Sequence, residues 1–403
     1  MRRGLVVSVM LVLILARYEL GQRNRVDLGE GMTVKVTGRV GKFYGKNELE
    51  VEGVRVKLKG GEEIQTGDKI IMAGKLEKRL IGEKTEGLVL IYDRFEKVGE
   101  PYYLLGMVTR IREGMVGKLH KWLPGDEGGL AAGILLGGDG DISWRAKENF
   151  KRTGLTHVVA ASGYNVSVVV GAVLYLSVIL VGRKWGLILS IGGVVFYTVL
   201  AGMTAAVVRA GLMAISVIVG QMVGRKADKY WILAIVGWLM LMWDPGYLAD
   251  IGWQLSMAAT VGVLWSMPEV FLTNNRMLSF LGGDLKTTLA AQIMTMPIIL
   301  HHFGQLSVVA PVANLLVLPV VPIVMGIVGA AATLGVVWYD AGMILSWLAW
   351  PWLRYMTGMT EWWAGLPWAA MATKNIGWGG VGWYYLAVIL IYKCRFLIFK
   401  QKD

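Results

Sequence analysis

The sequence is poor in cysteine and in charged residues. Cys394 is its single cysteine, so no intrachain disulfide can stabilise the fold. Charged residues make up 17% of the 403 residues, against about 25% in soluble proteins. The sequence also lacks metal-ligand spacing, a phosphate-cradling loop and a dinucleotide fingerprint. These absences argue against a soluble globular protein, a metalloenzyme and an ATP-driven pump.

Apolar residues dominate the chain instead. They make up 55% of it, and its mean hydropathy is +0.52. From residue 157 the apolar runs are nearly continuous, and several approach the roughly 20 residues that cross a bilayer. The predicted fold class is a polytopic α-helical membrane protein with an N-terminal extracytoplasmic small β-barrel domain. Residues 154–403 are its predicted transmembrane domain, with about 8 to 10 helices.

Three further segments precede that domain. Residues 1–20 begin with Arg2 and Arg3 and continue with an apolar run, which predicts a transmembrane anchor with a cytoplasmic N-terminus. Residues 21–100 alternate apolar and polar residues, which predicts a small barrel of the oligonucleotide-binding type. Residues 101–153 switch to helical spacing and predict amphipathic helices at the membrane surface. The strands are expected near residues 34–36, 49–51, 54–58, 70–72 and 88–92.

Four lysines of the barrel segment have the charge to follow a phosphate backbone. They are Lys35, Lys57, Lys59 and Lys75. Glutamates are interleaved with them along the same segment, so a solvated strand face explains the same pattern. The sequence leaves both interpretations open. Asp139 and Asp141 follow in a turn after a short apolar helix, and two aspartates without a third ligand do not predict a metal site.

The net charge of +12 fits anionic lipid, nucleic acid or orientation in the membrane. The strongest basic loops of the apolar region are Arg183–Lys184 and Arg225–Lys229, and both are expected on the cytoplasmic side. Two predicted spans separate them, so one orientation satisfies both. That orientation puts His157 and the barrel outside the cytoplasm and the basic C-terminus inside it.

Polar residues enter the membrane where the apolar region begins. His157, Ser162 and Asn165 lie there, and polar groups at such positions are functional-site candidates because their burial in lipid is costly. Close helix packing at Ser162 and Gly163 explains the same residues without a function. Composition and spacing do not decide between the two.

Arg209 is the sharpest single signal, because it lies inside an otherwise apolar run. A central arginine must face water or a partner, and Asp250 is the candidate for a purely structural pair. Gln254 lies four residues after Asp250 on the same helix face. Ser256 and Thr260 form a second polar row on that helix.

Gln292 belongs to another polar stripe, with Thr288 and Thr295. Such a stripe either lines a wet pathway or makes hydrogen bonds between helices. Asn314 lies in a predicted span, residues 306–337, whose prolines predict kinked or discontinuous helices. A later predicted span, residues 341–365, is expected to break at Pro351. Irregular backbone at membrane depth is tolerated only against protein or a water-filled cavity.

Four segments resemble, in order, those of the ComEC-type DNA internalisation channel family. Gly154–Val166 (GLTHVVAASGYNV) resembles its hallmark GLxHLLAxSGxHV. Leu200–Met213 carries the family's arginine–alanine pair at Arg209. Asp250–Gly262 resembles its D-x-G-x-Q-L-S segment, and Thr287–Pro319 resembles its Q-x-x-T-x-P … P-x-x-N segment. The resemblance covers about residues 30–390 and includes the barrel.

The resemblance implies a membrane channel that passes single-stranded DNA into the cytoplasm during natural transformation. The prediction includes no catalytic residue, metal ion or cofactor. The implied partners are single-stranded DNA, membrane lipids and separate competence proteins, namely a DNA receptor, an ATP-driven translocase and a nuclease. The pathway or motif residues that it implies are His157, Ser162, Gly163, Asn165, Arg209, Asp250, Gln254, Ser256, Gln292 and Asn314.

Two departures from the family pattern matter. Asn165 stands where the family has a second histidine, which weakens any role that needs a titrating group there. Many members also carry a C-terminal metallo-β-lactamase-like domain, whereas this sequence ends at Asp403, just after its last predicted span. The expectation is a short form whose partner degrades the non-transported strand.

The residues alone leave two other functions open. A transporter or flippase of an anionic lipid or cell-wall precursor would use the same basic cavity. An intramembrane serine hydrolase is disfavoured, because His157 and Ser162 are five positions apart and no oxyanion-hole pattern surrounds Ser162.

Overall fold

The computed structural model describes two compact units, residues Tyr18–Lys118 and residues Met1–Arg17 with Leu119–Asp403. The predicted anchor, residues 1–20, falls largely outside the described part of the chain. The described residues are 10, 13, 14, 17, 32–43, 48–51, 54–58, 64, 68–81, 85–99, 103–138, 142–225, 228–266 and 276–400.

The described strands of the first unit form a closed barrel in the order β1-β2-β3-β5-β4, and β4 pairs back to β1. β3 and β5 are parallel, and the other neighbours are antiparallel. The strands lie where alternation of apolar and polar residues predicts them. Their bounds are β1 Thr33–Phe43, β2 Glu48–Val51, β3 Val54–Lys57, β4 Lys69–Ile81 and β5 Thr85–Gly99.

The barrel core follows from this alternation, because successive side chains of a strand point to opposite faces. Leu49 pairs with Val56, Val56 with Leu90 and Leu90 with Leu76 in register. All four side chains are fully buried. One apolar layer therefore crosses four strands, and the polar residues between these positions face outward.

Helices make up most of the rest of the described chain. Short 3₁₀ segments occur at Pro245–Ala249 and Leu318–Val320, and β6 (Gln305–Ser307) pairs with β7 (Ala370–Ala372). The helix bounds are α1 Tyr103–Trp122, α2 Asp126–Leu136, α3 Trp144–Arg152, α4 Thr156–Val159, α5 Gly163–Leu200, α6 Ala205–Met222, α7 Lys229–Trp243, α8 Ile251–Ser266, α9 Arg276–Phe303, α10 Ala310–Val317, α11 Val321–Val337, α12 Tyr339–Ala364 and α13 Trp378–Lys400.

Within the described residues, three helical segments are long and apolar enough to cross a membrane. They are Thr156–Leu200, Ala205–Met222 and Ala310–Val337. Shorter apolar helices occupy Lys229–Trp243, Ile251–Trp265 and Trp378–Ile391. This composition is that of a helical membrane protein.

α5 is a helical hairpin, because Gly182 has non-helical φ of 77° and ψ of 168°. A methyl group on Gly186 would lie 2.7 Å from Val178 Cα, and one on Gly193 would lie 2.6 Å from Val173 Cγ1. Residues 183–200 thus pack closely against residues 163–181. Each arm is about 28 Å long at 1.5 Å per residue, and the turn contains the basic pair predicted between two spans.

α2 is buried throughout, since every residue from Glu127 to Leu136 is buried. It ends where Gly137 adopts φ of 74°, a left-handed conformation that favours glycine. A buried helix end needs partners for its last carbonyl groups. The side chains that donate to these carbonyl groups belong to the site described below.

Proline has different effects in α12 and before α11. The sequence predicts a break at Pro351, but α12 runs without interruption from Tyr339 to Ala364. Its packing against α11 is tight, since a methyl group on Gly342 would lie 2.5 Å from Gly335 Cα. Such tertiary support offsets the hydrogen bond that proline removes. The 3₁₀ segment at Leu318–Val320 does interrupt the predicted 306–337 span.

Candidate functional site

The N-terminus of α5 lies against the C-terminus of α2. Ser162 caps α5, since its Oγ accepts a hydrogen bond from Asn165 N at 3.3 Å and donates to Asn165 Oδ1 at 3.0 Å. Asn165 Nδ2 donates to Ile134 O at 2.9 Å, and Tyr197 Oη donates to Leu135 O at 2.9 Å. Both arms of the α5 hairpin therefore satisfy carbonyl groups at the buried end of α2.

Arg209 lies on α6 and is 6% exposed. Its Nε donates to Ser256 Oγ at 2.8 Å, and its Nη1 donates to Thr260 Oγ1. Met213 Sδ lies 3.4 Å from Nη1. Across the described part of the chain, no carboxylate forms an ion pair with Arg209. Neutral hydroxyl groups of α8 hold this positive charge.

The candidate pair between Arg209 and Asp250 is not formed. Asp250 Oδ1 instead accepts a hydrogen bond from Trp253 N at 2.7 Å and caps the start of α8. Asp244 Oδ1 accepts from Gly246 N at 2.8 Å in the preceding 3₁₀ segment. Burial and then the charges of Asp244 and Asp250 raise the pKa of Tyr247. Asp250 therefore caps α8 and does not pair with Arg209.

Gln254 belongs to a second polar cluster at the start of α8. Its Nε2 donates to Leu248 O at 2.7 Å, and its Oε1 lies 2.9 Å from His302 Nε2. His301 Nδ1 lies 2.6 Å from Ile376 O, and its ring centroid is 4.2 Å from that of Trp378. This cluster connects the start of α8, the end of α9 and the start of α13.

The remaining candidates of the helical unit lie apart from these two clusters. His157 is exposed, and its Nδ1 lies 3.2 Å from Gly154 O. Gln292 Oε1 and Asn314 Oδ1 are buried, and neither has a hydrogen-bond partner among the described residues. No hydrogen bond in the described chain joins His157 to Ser162, so the geometry of a serine–histidine pair is not present there.

The barrel lysines lie on the outer face. Lys35 and Lys75 are exposed, and Lys57 is half-buried. Lys57 and Lys75 are both in register with Ile91, one on each side of β5, and are therefore about 10 Å apart across two strand spacings. Glu48 is in register with Lys57 on the other side, so the face has mixed charge. Lys59 lies outside the described residues.

Thr260, which the sequence places in one polar row with Ser256, contacts Arg209 together with it. Sequence reasoning missed two other contributors to the site. Tyr197 and the carbonyl group of Ile134 left no signal, since their role depends on where α2 ends. Asp139 and Asp141 lie outside the described residues.

A family model described as "Competence protein" matches residues 134–397. This match covers more than half of the chain and includes every candidate residue of the helical unit. The chain belongs to the competence protein family. It is a ComEC-type competence protein and a helical membrane protein, as its sequence motifs predict.

Two named relatives support the assignment to the competence protein family. "ComE operon protein 3" of Bacillus subtilis (strain 168) is 24% identical over 225 residues, which cover 56% of this chain and 28% of that protein. "Competence protein ComA" of Neisseria gonorrhoeae is 26% identical over 186 residues, which cover 44% of this chain and 26% of that protein. The matches span between a quarter and a third of each relative's length. No solved structure matches the chain.

Proposed function

We propose that the helical unit is a membrane channel that imports single-stranded DNA during natural transformation. The observation that carries this proposal is the match of the competence protein family model over residues 134–397, together with one relative that is named a competence protein. A transported DNA strand presents one negative charge per phosphate, so its path needs positive or polar groups that tolerate any sequence.

Arg209 supports this function physically. It is a buried cation without a carboxylate partner in the described chain, and its hydrogen-bond acceptors are the neutral Ser256 and Thr260. A structural arginine is normally neutralised by a paired acid. An arginine held by hydroxyl groups keeps its charge available for an anion that comes and goes.

The barrel is proposed to be of the oligonucleotide-binding type and to lie on the extracytoplasmic side. Its strand order, β1-β2-β3-β5-β4 closing on β1, is consistent with a five-stranded Greek-key barrel of that type. Lys57 and Lys75 flank one position of β5 and would contact successive phosphates of an incoming strand. The partners in this proposal are membrane lipids, a DNA receptor, an ATP-driven translocase and a nuclease, and the chain itself has no catalytic role.

Uptake of labelled DNA into a DNase-resistant pool tests the function. A deletion strain is complemented with wild type, Arg209→Gln or the control Ser216→Ala, at matched membrane levels. Ser216 is on the same helix as Arg209, and its hydroxyl donates to Leu212 O of its own helix. We expect wild type and Ser216→Ala to restore uptake and Arg209→Gln to lose most of it. Normal uptake in the deletion strain would refute the channel and make transport of an anionic lipid the function to test.

A further inference from the structure

The guanidinium of Arg209 lies close to the backbone of Gly163. Gly163 is the first residue of α5, and a methyl group placed on it would lie 2.7 Å from Arg209 Nη2. Any side chain larger than hydrogen at position 163 would displace the guanidinium. The hallmark glycine therefore lets Nη2 of Arg209 lie against the first turn of α5.

That nitrogen is unoccupied. Nε and Nη1 of Arg209 have acceptors on Ser256, Thr260 and Met213, whereas Nη2 has none among the described residues. Arg209 is nevertheless buried, with only 6% of its surface exposed. A charged donor that no protein atom satisfies is available to an anionic acceptor.

The start of α5 adds a second donor at the same place. Ser162 Oγ accepts from Asn165 N, which leaves the Gly163 N–H without an acceptor in the described chain. The first turn of a helix carries a partial positive charge and binds anions. A guanidinium next to this terminus is electrostatically unfavourable unless an anion lies between the two.

We propose that Arg209 Nη2 and the Gly163 N–H form a binding site for one phosphodiester anion. The inference rests on the proposed function, in which that anion is a backbone phosphate of the DNA strand. Two oxygens of a phosphodiester can accept one hydrogen bond each from the guanidinium and the helix terminus. Ser256 and Thr260 are positioning residues, because they accept hydrogen bonds from Nε and Nη1 and so fix the guanidinium with Nη2 next to Gly163. Recognition through backbone charge alone makes the site indifferent to base sequence.

The site is tested with dimethyl phosphate, a phosphodiester without base or acyl chain. Its affinity for the purified full-length chain in detergent is measured from the rise in melting temperature on titration. Wild type and Ser216→Ala are expected to respond alike. Arg209→Gln removes the charge, Gly163→Ala displaces Nη2 from the start of α5, and each is expected to weaken binding about tenfold or more. Arg209→Lys is a second variant that keeps the charge but lacks the forked donor set.

The outcomes are separable. The site would be overturned if wild type did not respond, or if Arg209→Gln and Arg209→Lys responded as wild type does. Full binding by a folded Gly163→Ala protein would also overturn it. Cooperative melting without ligand shows which variants are folded.

Two competitors then distinguish the source of the phosphate. Competition by oligothymidylate, but not by its uncharged methylphosphonate analogue, supports DNA. Competition only by a short-chain phosphatidylglycerol retains the site and refutes the DNA channel.

Discussion

The side-chain amide of Asn165 donates a hydrogen bond to the backbone carbonyl of Ile134 at 2.9 Å. Asn165 is 1% exposed, and its Oδ1 accepts from Ser162 at the same time. One amide therefore joins the capped start of α5 to the buried end of α2. This explains how asparagine serves at the position where the family resemblance leads one to expect histidine: the contact needs a donor and an acceptor, and no titration.

Replacing Asn165 by alanine is expected to leave the Ile134 carbonyl buried without a donor. The cost is about 1–3 kcal/mol, and it is measured as a lower melting temperature of the purified protein. Ser167→Ala is the control, since Ser167 is exposed on the same helix and bonds to Gly163 O. Equal melting temperatures of Asn165→Ala and Ser167→Ala would show that the α2 terminus does not depend on this amide.

Alanine substitutions at two glycines of α11 should have different effects on stability. A methyl group on Gly335 would collide with the indole ring of Trp122, whereas one on Gly326 would meet nothing within 4 Å. Overpacking costs about 1–3 kcal/mol, while alanine in an open helical position stabilises by up to about 1 kcal/mol. We expect Gly335→Ala to lower the melting temperature and Gly326→Ala to keep or raise it. The same loss in both variants would contradict the packing described here.

Ser256 and Thr260 should act only through Arg209. We expect Ser256→Ala with Thr260→Val to reduce DNA uptake severalfold while the charge of Arg209 remains. A double-mutant cycle on melting temperature separates this from a general structural role. In the Arg209→Gln background the two hydroxyl substitutions should cost little, which corresponds to a coupling of about 0.5–3 kcal/mol. Additive losses in the cycle would count against the positioning role.

The barrel proposal predicts a change in salt dependence. Lys57→Gln with Lys75→Gln removes two cations that flank Ile91. If each contacts one phosphate, the slope of log affinity for oligothymidylate against log salt should fall in magnitude by about 1.4, at about 0.7 per phosphate. Glu77→Gln, on the exposed face of β4, is the control and should not reduce the slope. An unchanged slope in the lysine variant would favour the solvated-face interpretation.

Local pattern alone predicted much of the fold. Alternation located the strands of the barrel, since inward and outward faces follow the period of two. Apolar length and the basic pair Arg183–Lys184 located the two arms of α5, and the turn at Gly182 fell between them. The motif segments also identified the family before any geometry was known. The predicted break at Pro351 was wrong, since α12 is continuous there. Local sequence pattern does not reveal the packing of α12 against α11.

The sequence by itself determined that the chain is a helical membrane protein of a particular family and that Arg209 is its most unusual residue. Only the tertiary structure decided what Arg209 contacts. Its acceptor Ser256 is 47 residues away, and Asp250, the partner suggested by charge, caps its own helix instead. Periodicity and hydropathy indicate which residues of each segment contact water or lipid. Hydrogen-bond partners depend on how separate helices are brought together, which the packing of α2, α5, α6 and α8 determines.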